Sequence, residues 1–114
     1  MYAQPQLDQA AGRPIHVFMH HPPQPVGIRH NAKMCLFEPD SFLEILHKHG
    51  AVRDIFAGHV HLPGVGSAQG IPYSTSRGTC HHIVFDADNP EAEYVAFNPS
   101  YNVLLMDDRN TLNH

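Results

Sequence analysis

The sequence predicts an α/β (α+β) fold, with one βαβ unit followed by an antiparallel β meander. Two apolar runs, Ile15-His16-Val17-Phe18-Met19 and Val52-Arg53-Asp54-Ile55-Phe56-Ala57, read as strands. Between them, residues 39–49 carry apolar side chains at helical spacing. Beyond residue 61, short β-forming segments alternate with Gly and Pro.

Each element has its own signal. Residues 1–13 are polar, and Gln6 to Ala11 predicts the end of a helix stopped by Gly12 and Pro14. Ile15–Met19 is the first strand. Residues 20–38 form a long loop with Pro22, Pro23, Pro25 and Gly27; a loop longer than about 15 residues is usually functional or disordered. In Pro39–His49, Phe42, Ile45, Leu46 and His49 fall at i, i+3, i+4 and i+7 and share a face. Ser41 and Glu44 have capping-box spacing, Pro39 suits the helix start and Gly50 its stop. Val52–Ala57 is the second strand, and strand–helix–strand implies a right-handed crossover with parallel pairing. After Pro63, Gly64, Gly66 and Gly70, the segments Ile71–Thr75, His82–Asp86, Glu93–Phe97 and Asn102–Met106 read as successive strands. Asp88-Asn89-Pro90 marks a turn. Residues 107–114 read as a loose polar tail.

Composition narrows the function. The 114 residues allow at most one domain, burying about 65% of the unfolded chain's surface. An apolar fraction of 42% suits a globular protein. A formal charge of −4 argues against a nucleic-acid partner, which calls for a basic surface. No apolar run reaches the roughly 18 residues of a membrane span, and the polar N-terminus is not a signal peptide. Cys35 and Cys80 form no close pair and read as reduced thiols of a cytoplasmic protein, with one disulfide as the alternative.

Histidine stands out, at 11 residues against 7 Lys plus Arg. His16, His30, His47 and His49 are scattered, and His114 is terminal. His20-His21-Pro22-Pro23 closes the first strand and Gly58-His59-Val60-His61 the second. In extended backbone His59 and His61 would point to one side, about 6–7 Å apart. That spacing suits one ion, or two ions about 3.5–4 Å apart. Gly58 would let the backbone turn closely. Adjacent residues on a strand face opposite ways, so only one of His20 and His21 should ligate, and the prolines fix the exit path. Ligands in open α/β sheets gather at the carboxyl ends of strands. Imidazole favours Zn, Fe, Mn or Cu over Mg or Ca. Read structurally, the same histidines are solvated or bonded to backbone. His81 and His82, before Ile83-Val84-Phe85, favour the structural reading.

With these motifs the chain resembles the calcineurin-like metallophosphoesterases. The branch is that of the class III cyclic-nucleotide phosphodiesterases and glycerophosphodiesterases. The likeness rests on the strand into His20-His21-Pro22-Pro23, the strand into Gly58-His59-Val60-His61, and Ser74-Thr75-Ser76-Arg77-Gly78-Thr79-Cys80-His81. It implies a sandwich of two mixed sheets flanked by helices, of which this chain resembles the C-terminal half. It also implies His20 and His59 on one metal ion and His61 on a second, with two divalent ions (Fe, Mn or Zn) in an intact domain. His81 becomes a candidate phosphate contact or proton donor, and His21, beside the site without a ligand role, a second candidate catalytic side chain. The family's Asp-x-His, Gly-Asp and Gly-Asn-His motifs do not occur in the sequence. The chain is therefore expected to be a partial domain beginning in the middle of a larger one, and inactive alone.

The function so implied is hydrolysis of a small phosphodiester or phosphomonoester by a water that two metal ions activate. Arg29, His30 and Asn31 in the long loop are candidate substrate contacts. The alternatives are a non-catalytic assembly or regulatory module holding one metal or none, and a half-site completed by another chain. A sheet face left uncovered in a partial domain predicts homo-oligomerisation.

Overall fold

The computed structural model describes residues 3–27 and 34–114, which form an α+β fold. Helix α1 spans Ala3–Ala10 and ends as Ala11 and Gly12 turn to positive φ. Arg13 finishes it: its Nε donates to Ala10 O at 2.9 Å and its Nη2 to Gln9 O at 3.2 Å. These bonds satisfy carbonyls that a helix end otherwise leaves open.

Strand β1 (Ile15–Met19), helix α2 (Pro39–His49) and strand β2 (Val52–Ala57) have the expected bounds. β1 and β2 pair in parallel, from Ile15 opposite Val52 to Met19 opposite Ala57. The start of α2 differs from expectation. Its N-cap is Glu38, at φ 54°, with no side-chain cap bond, so the Ser41–Glu44 capping box does not form. With Pro39 at the first position, Ser41 already lies inside the helix and cannot cap it. Gly50, at φ 78°, closes the helix by donating from its backbone N–H to Leu46 O.

The largest departure lies beyond residue 61. Strand β3 (Gly64–Ala68), not anticipated, pairs antiparallel with β4 (Ile71–Thr75) through Gln69-Gly70. Both turn residues have positive φ, 48° and 86°, as the tightest hairpin turn requires. β4 then lies parallel to β2, giving one four-stranded sheet in the order β1-β2-β4-β3. The expected meander is thus divided: its first strand belongs to this sheet, and the rest forms two separate pairs. β5 (His82–Ile83) pairs with β6 (Tyr94–Val95), and β7 (Leu104–Met106) with β8 (Thr111–Asn113). The first three of these are shorter than the segments 82–86, 93–97 and 102–106. The supposed tail contains β8, an ordered strand.

One sheet face carries the core. Leu7 of α1, Phe42, Leu43 and Leu46 of α2, Ile55 of β2 and Ala68, Ile71 and Tyr73 of the hairpin form a single cluster. Leu46 and Ile55 are fully buried, each contributing about 1.5–3 kcal/mol of hydrophobic stabilisation. Leu43 joins the buried helix face, whereas Ile45 and His49 stay half-buried. On the other face Phe18 packs on Phe56 with ring centroids 5.1 Å apart. The β7–β8 pair is tied to the sheet by Thr111 Oγ1 donating to Asp54 Oδ2 (3.2 Å) and Asn113 Nδ2 donating to Ser74 Oγ (3.1 Å). No helix among the described residues is long and apolar enough to cross a membrane. Cys35 and Cys80 are not joined in a disulfide.

Candidate metal and phosphate site

The register that sets Met19 against Ala57 also brings the histidine motifs level at the carboxyl ends of β1 and β2. Gly58 N–H donates to His20 O at 3.0 Å, extending the pairing by one bond. The two rings meet beyond it: His59 Nδ1 and His20 Nε2 are 2.9 Å apart. His21 joins them, its ring centroid 4.3 Å from that of His59 and 5.2 Å from that of His20. Residues 20 and 21 already lie outside β1, so the alternation that would have sent His21 to the opposite face no longer applies. Pro22 and Pro23 are fully buried and anchor the exit, Pro22 O accepting from Leu36 N–H at 2.9 Å.

The second motif is not extended. Val60 N–H donates to Gly58 O at 2.8 Å, a γ-turn centred on His59 at φ 67°. His61 also has positive φ, 52°. Left-handed backbone costs about 1–2 kcal/mol for a residue with a Cβ, and such strain persists only where surrounding contacts over-determine it. Here they do. Val60 is wholly buried between the two histidines. Thr75 Oγ1 donates to Leu62 O at 2.7 Å, and Ile83 N–H donates to His61 O at 3.2 Å. The expected role of Gly58 does not hold, because a Cβ there would meet His20 only at ordinary contact, 3.8 Å.

The turn separates His61 from the His20–His59 pair. The ring of His61 packs on that of His81, centroids 4.4 Å apart, and its buried Nδ1 has no hydrogen-bond partner. Gly78 fits against it: a Cβ there would lie 2.8 Å from His61 Nδ1 and 2.6 Å from His81 O. His81 Nδ1 also stands 3.0 Å from Cys80 Sγ, and its ring meets Tyr94 edge-on at 5.1 Å. His82 is buried, with Nε2 3.2 Å from Gly78 O, and stacks on Phe97. Asp54 is occupied elsewhere, 3.1 Å from His16 Nδ1. Arg29, His30 and Asn31 lie outside the described residues.

The pKa of His59 is lowered, chiefly by desolvation and then by His21, His20 and His61. A neutral imidazole is the form that binds metal. Two nitrogens on one tetrahedral ion with bonds of 2.0–2.1 Å stand about 3.3 Å apart, whereas this pair, hydrogen-bonded to each other, is 2.9 Å apart. Among the described residues no group of three or more His, Cys, Asp or Glu is arranged to hold a metal ion. Arg77, given no role by sequence reasoning, lines a cavity of about 320 Å³ with Met19, Gly58 and Thr79. Its signal was available: a cation among small polar residues just after a strand's carboxyl end.

No family model matches the chain. Over 76 residues it is 37% identical to a protein named as a probable cyclic nucleotide phosphodiesterase of Rhodopseudomonas palustris, a match covering 67% of this chain and 28% of that protein. Over 88 residues it is 32% identical to a probable cyclic nucleotide phosphodiesterase of Synechococcus, covering 75% and 33%. Over 95 residues it is 26% identical to a glycerophosphodiester phosphodiesterase of Enterobacter lignolyticus, covering 83% and 34%. The chain is therefore similar in sequence to proteins named as phosphodiesterases, and it spans about a third of the length of these relatives.

Proposed function

We propose that this chain forms the histidine-bearing part of a calcineurin-like metallophosphoesterase site that hydrolyses a small phosphate ester, a phosphodiester first. The observation that carries this reading is the 2.9 Å approach of His59 Nδ1 to His20 Nε2 at the ends of two paired parallel strands. Similarity to proteins named as phosphodiesterases supports it.

In this reading His20 and His59 hold one divalent ion (Fe, Mn or Zn), and His61 is a ligand of a second. When bound, such ions supply charge stabilisation for the phosphoryl group and an acidified water as nucleophile. The rest falls to side chains. His81, packed on His61, orients the phosphate or donates the proton that the leaving oxygen takes up. His21, packed against His59, shields that ring. Arg29, His30 and Asn31 are the proposed contacts to the remainder of the ester. Carboxylate ligands, absent beside these histidines among the described residues, would come from other segments or another chain.

That lack favours a second reading: a non-catalytic module holding one ion or none. Stoichiometry separates the two. Two ions with turnover of a bis-aryl phosphate support the enzyme; one or none, without turnover, supports the module. The site itself is tested by titrating Mn²⁺ or Zn²⁺ into the chain. His59→Ala should weaken uptake by at least about 10–100-fold, the loss that even an outer partner of a ligand causes. Unchanged uptake with the fold retained removes the site.

A further inference from the structure

Beside the histidines, and not on them, lies a cavity of about 590 Å³. This falls within the roughly 300–1,000 Å³ of small-molecule sites. Leu62, Val65, Ile83, Phe85 and Phe97 line it, Tyr73 and Thr75 add hydroxyls, and Arg77 contributes a cation. Chain neighbours of two site histidines line the groove. Leu62 follows His61, His82 follows His81, and the bond from Ile83 N–H to His61 O joins the two lips. His82, also in the lining, stacks on Phe97 with planes 12° apart, giving the groove a flat aromatic surface. Arg77 lines both this groove and the smaller cavity at the strand ends. Among the described residues no carboxylate stands at ion-pair distance from it.

We propose that this groove seats the planar, apolar alcohol portion of an organic phosphate ester, with Arg77 at its edge facing the ester's negative charge. The inference rests on the phosphoesterase reading for the fate of the phosphate, and it adds the class of alcohol. Of the polar side chains in the lining, Thr75 Oγ1 already donates to Leu62 O, Tyr73 Oη accepts from Gln24 Nε2 and His82 Nε2 stands against Gly78 O, so the hydroxyls of a ligand meet mainly Leu, Val, Ile and Phe. A polyol such as glycerol would lose hydration without compensation, whereas a flat ring gains both burial and stacking. Guanidinium suits this position because it stays charged and pairs with phosphate oxygens in a fork.

The test uses the whole, metal-free chain with 4-methylumbelliferone, a fluorescent planar alcohol, and with its phosphate monoester. The chain has no Trp to interfere. Both probes should bind saturably, and glycerol phosphate should not displace them. Val65→Glu places a carboxylate on a wall position that is 88% exposed, so folding is spared. It should weaken both probes about tenfold, or 1.4 kcal/mol. Arg77→Met should weaken the ester to a similar degree and leave the alcohol unchanged. The inference is overturned if neither probe saturates, if Val65→Glu binds as well as the parent, or if sedimentation shows the groove covered by a second copy that Val65→Glu releases. Neither metal nor turnover enters these readouts. Failure of the metal site therefore leaves them unmoved, and failure here leaves metal uptake unmoved.

Discussion

Phe42, Leu46 and Ile55 belong to one buried cluster on the helical side of the four-stranded sheet. Beyond residue 84, by contrast, Phe85, Phe97, Tyr101, Leu105 and Leu112 are each more than half exposed. Both regions are rich in apolar side chains. What differs is strand length and cover. Strands of five and six residues carry α1 and α2 on one face, while β5 to β8 have two or three residues each. A pair that short closes too few ladder bonds to hold apolar residues against water, and depends on what it leans on. His20 and His59 thus stand at the end of the long-stranded, helix-covered sheet, whereas His81 precedes a two-residue strand.

The sharpest way to break this contrast is a cavity in each region. Leu46→Ala should cost about 2–5 kcal/mol in denaturant unfolding, against about 0.5 kcal/mol or less for Leu105→Ala at the surface. Equal losses would refute the division. Next in size is the seam between the regions. Gly78→Ala drives a methyl into His61 and His81 O and should cost about 1–3 kcal/mol as overpacking, read by thermal unfolding. Smaller, and opposite in sign, is His59→Gly. It relieves the left-handed backbone and should stabilise the metal-free chain by about 1 kcal/mol, while metal uptake is lost. A destabilised variant would mean that the turn is not strained.

The smallest effect is that of pH. Because the folded state lowers the His59 pKa from 6.5, the native chain binds fewer protons there than the unfolded chain. Its stability is therefore full above 6.5 and declines as pH falls through the lower folded value. A melting series across that range should show the decline in the parent and a flatter profile in His59→Asn.

Much of the frame was legible in the sequence because its signals are local. Apolar runs, a helical face and a Gly stop locate β1, α2, β2 and β4 with their observed bounds. β3 was hidden because Gly64 and Gly66 carry no side chain to make a pattern and only Ala68 is buried. β8 was hidden because Thr111-Leu112-Asn113 looks polar until Asp54 and Ser74 are seen to receive it. At the site, the meeting of His20 with His59 followed from strand order. The alliance of His61 with His81 depended on two positive-φ residues that no spacing rule announces, and the inclusion of His21 on β1 ending at Met19.

Val60 has no chemistry of its own, yet it is wholly buried at the middle of the His59–His61 turn, between two residues of positive φ. Trimming it to Ala would keep every imidazole in the chain while opening a void inside the turn. The shape of a two-histidine turn thus hangs on a hydrocarbon that never touches solvent.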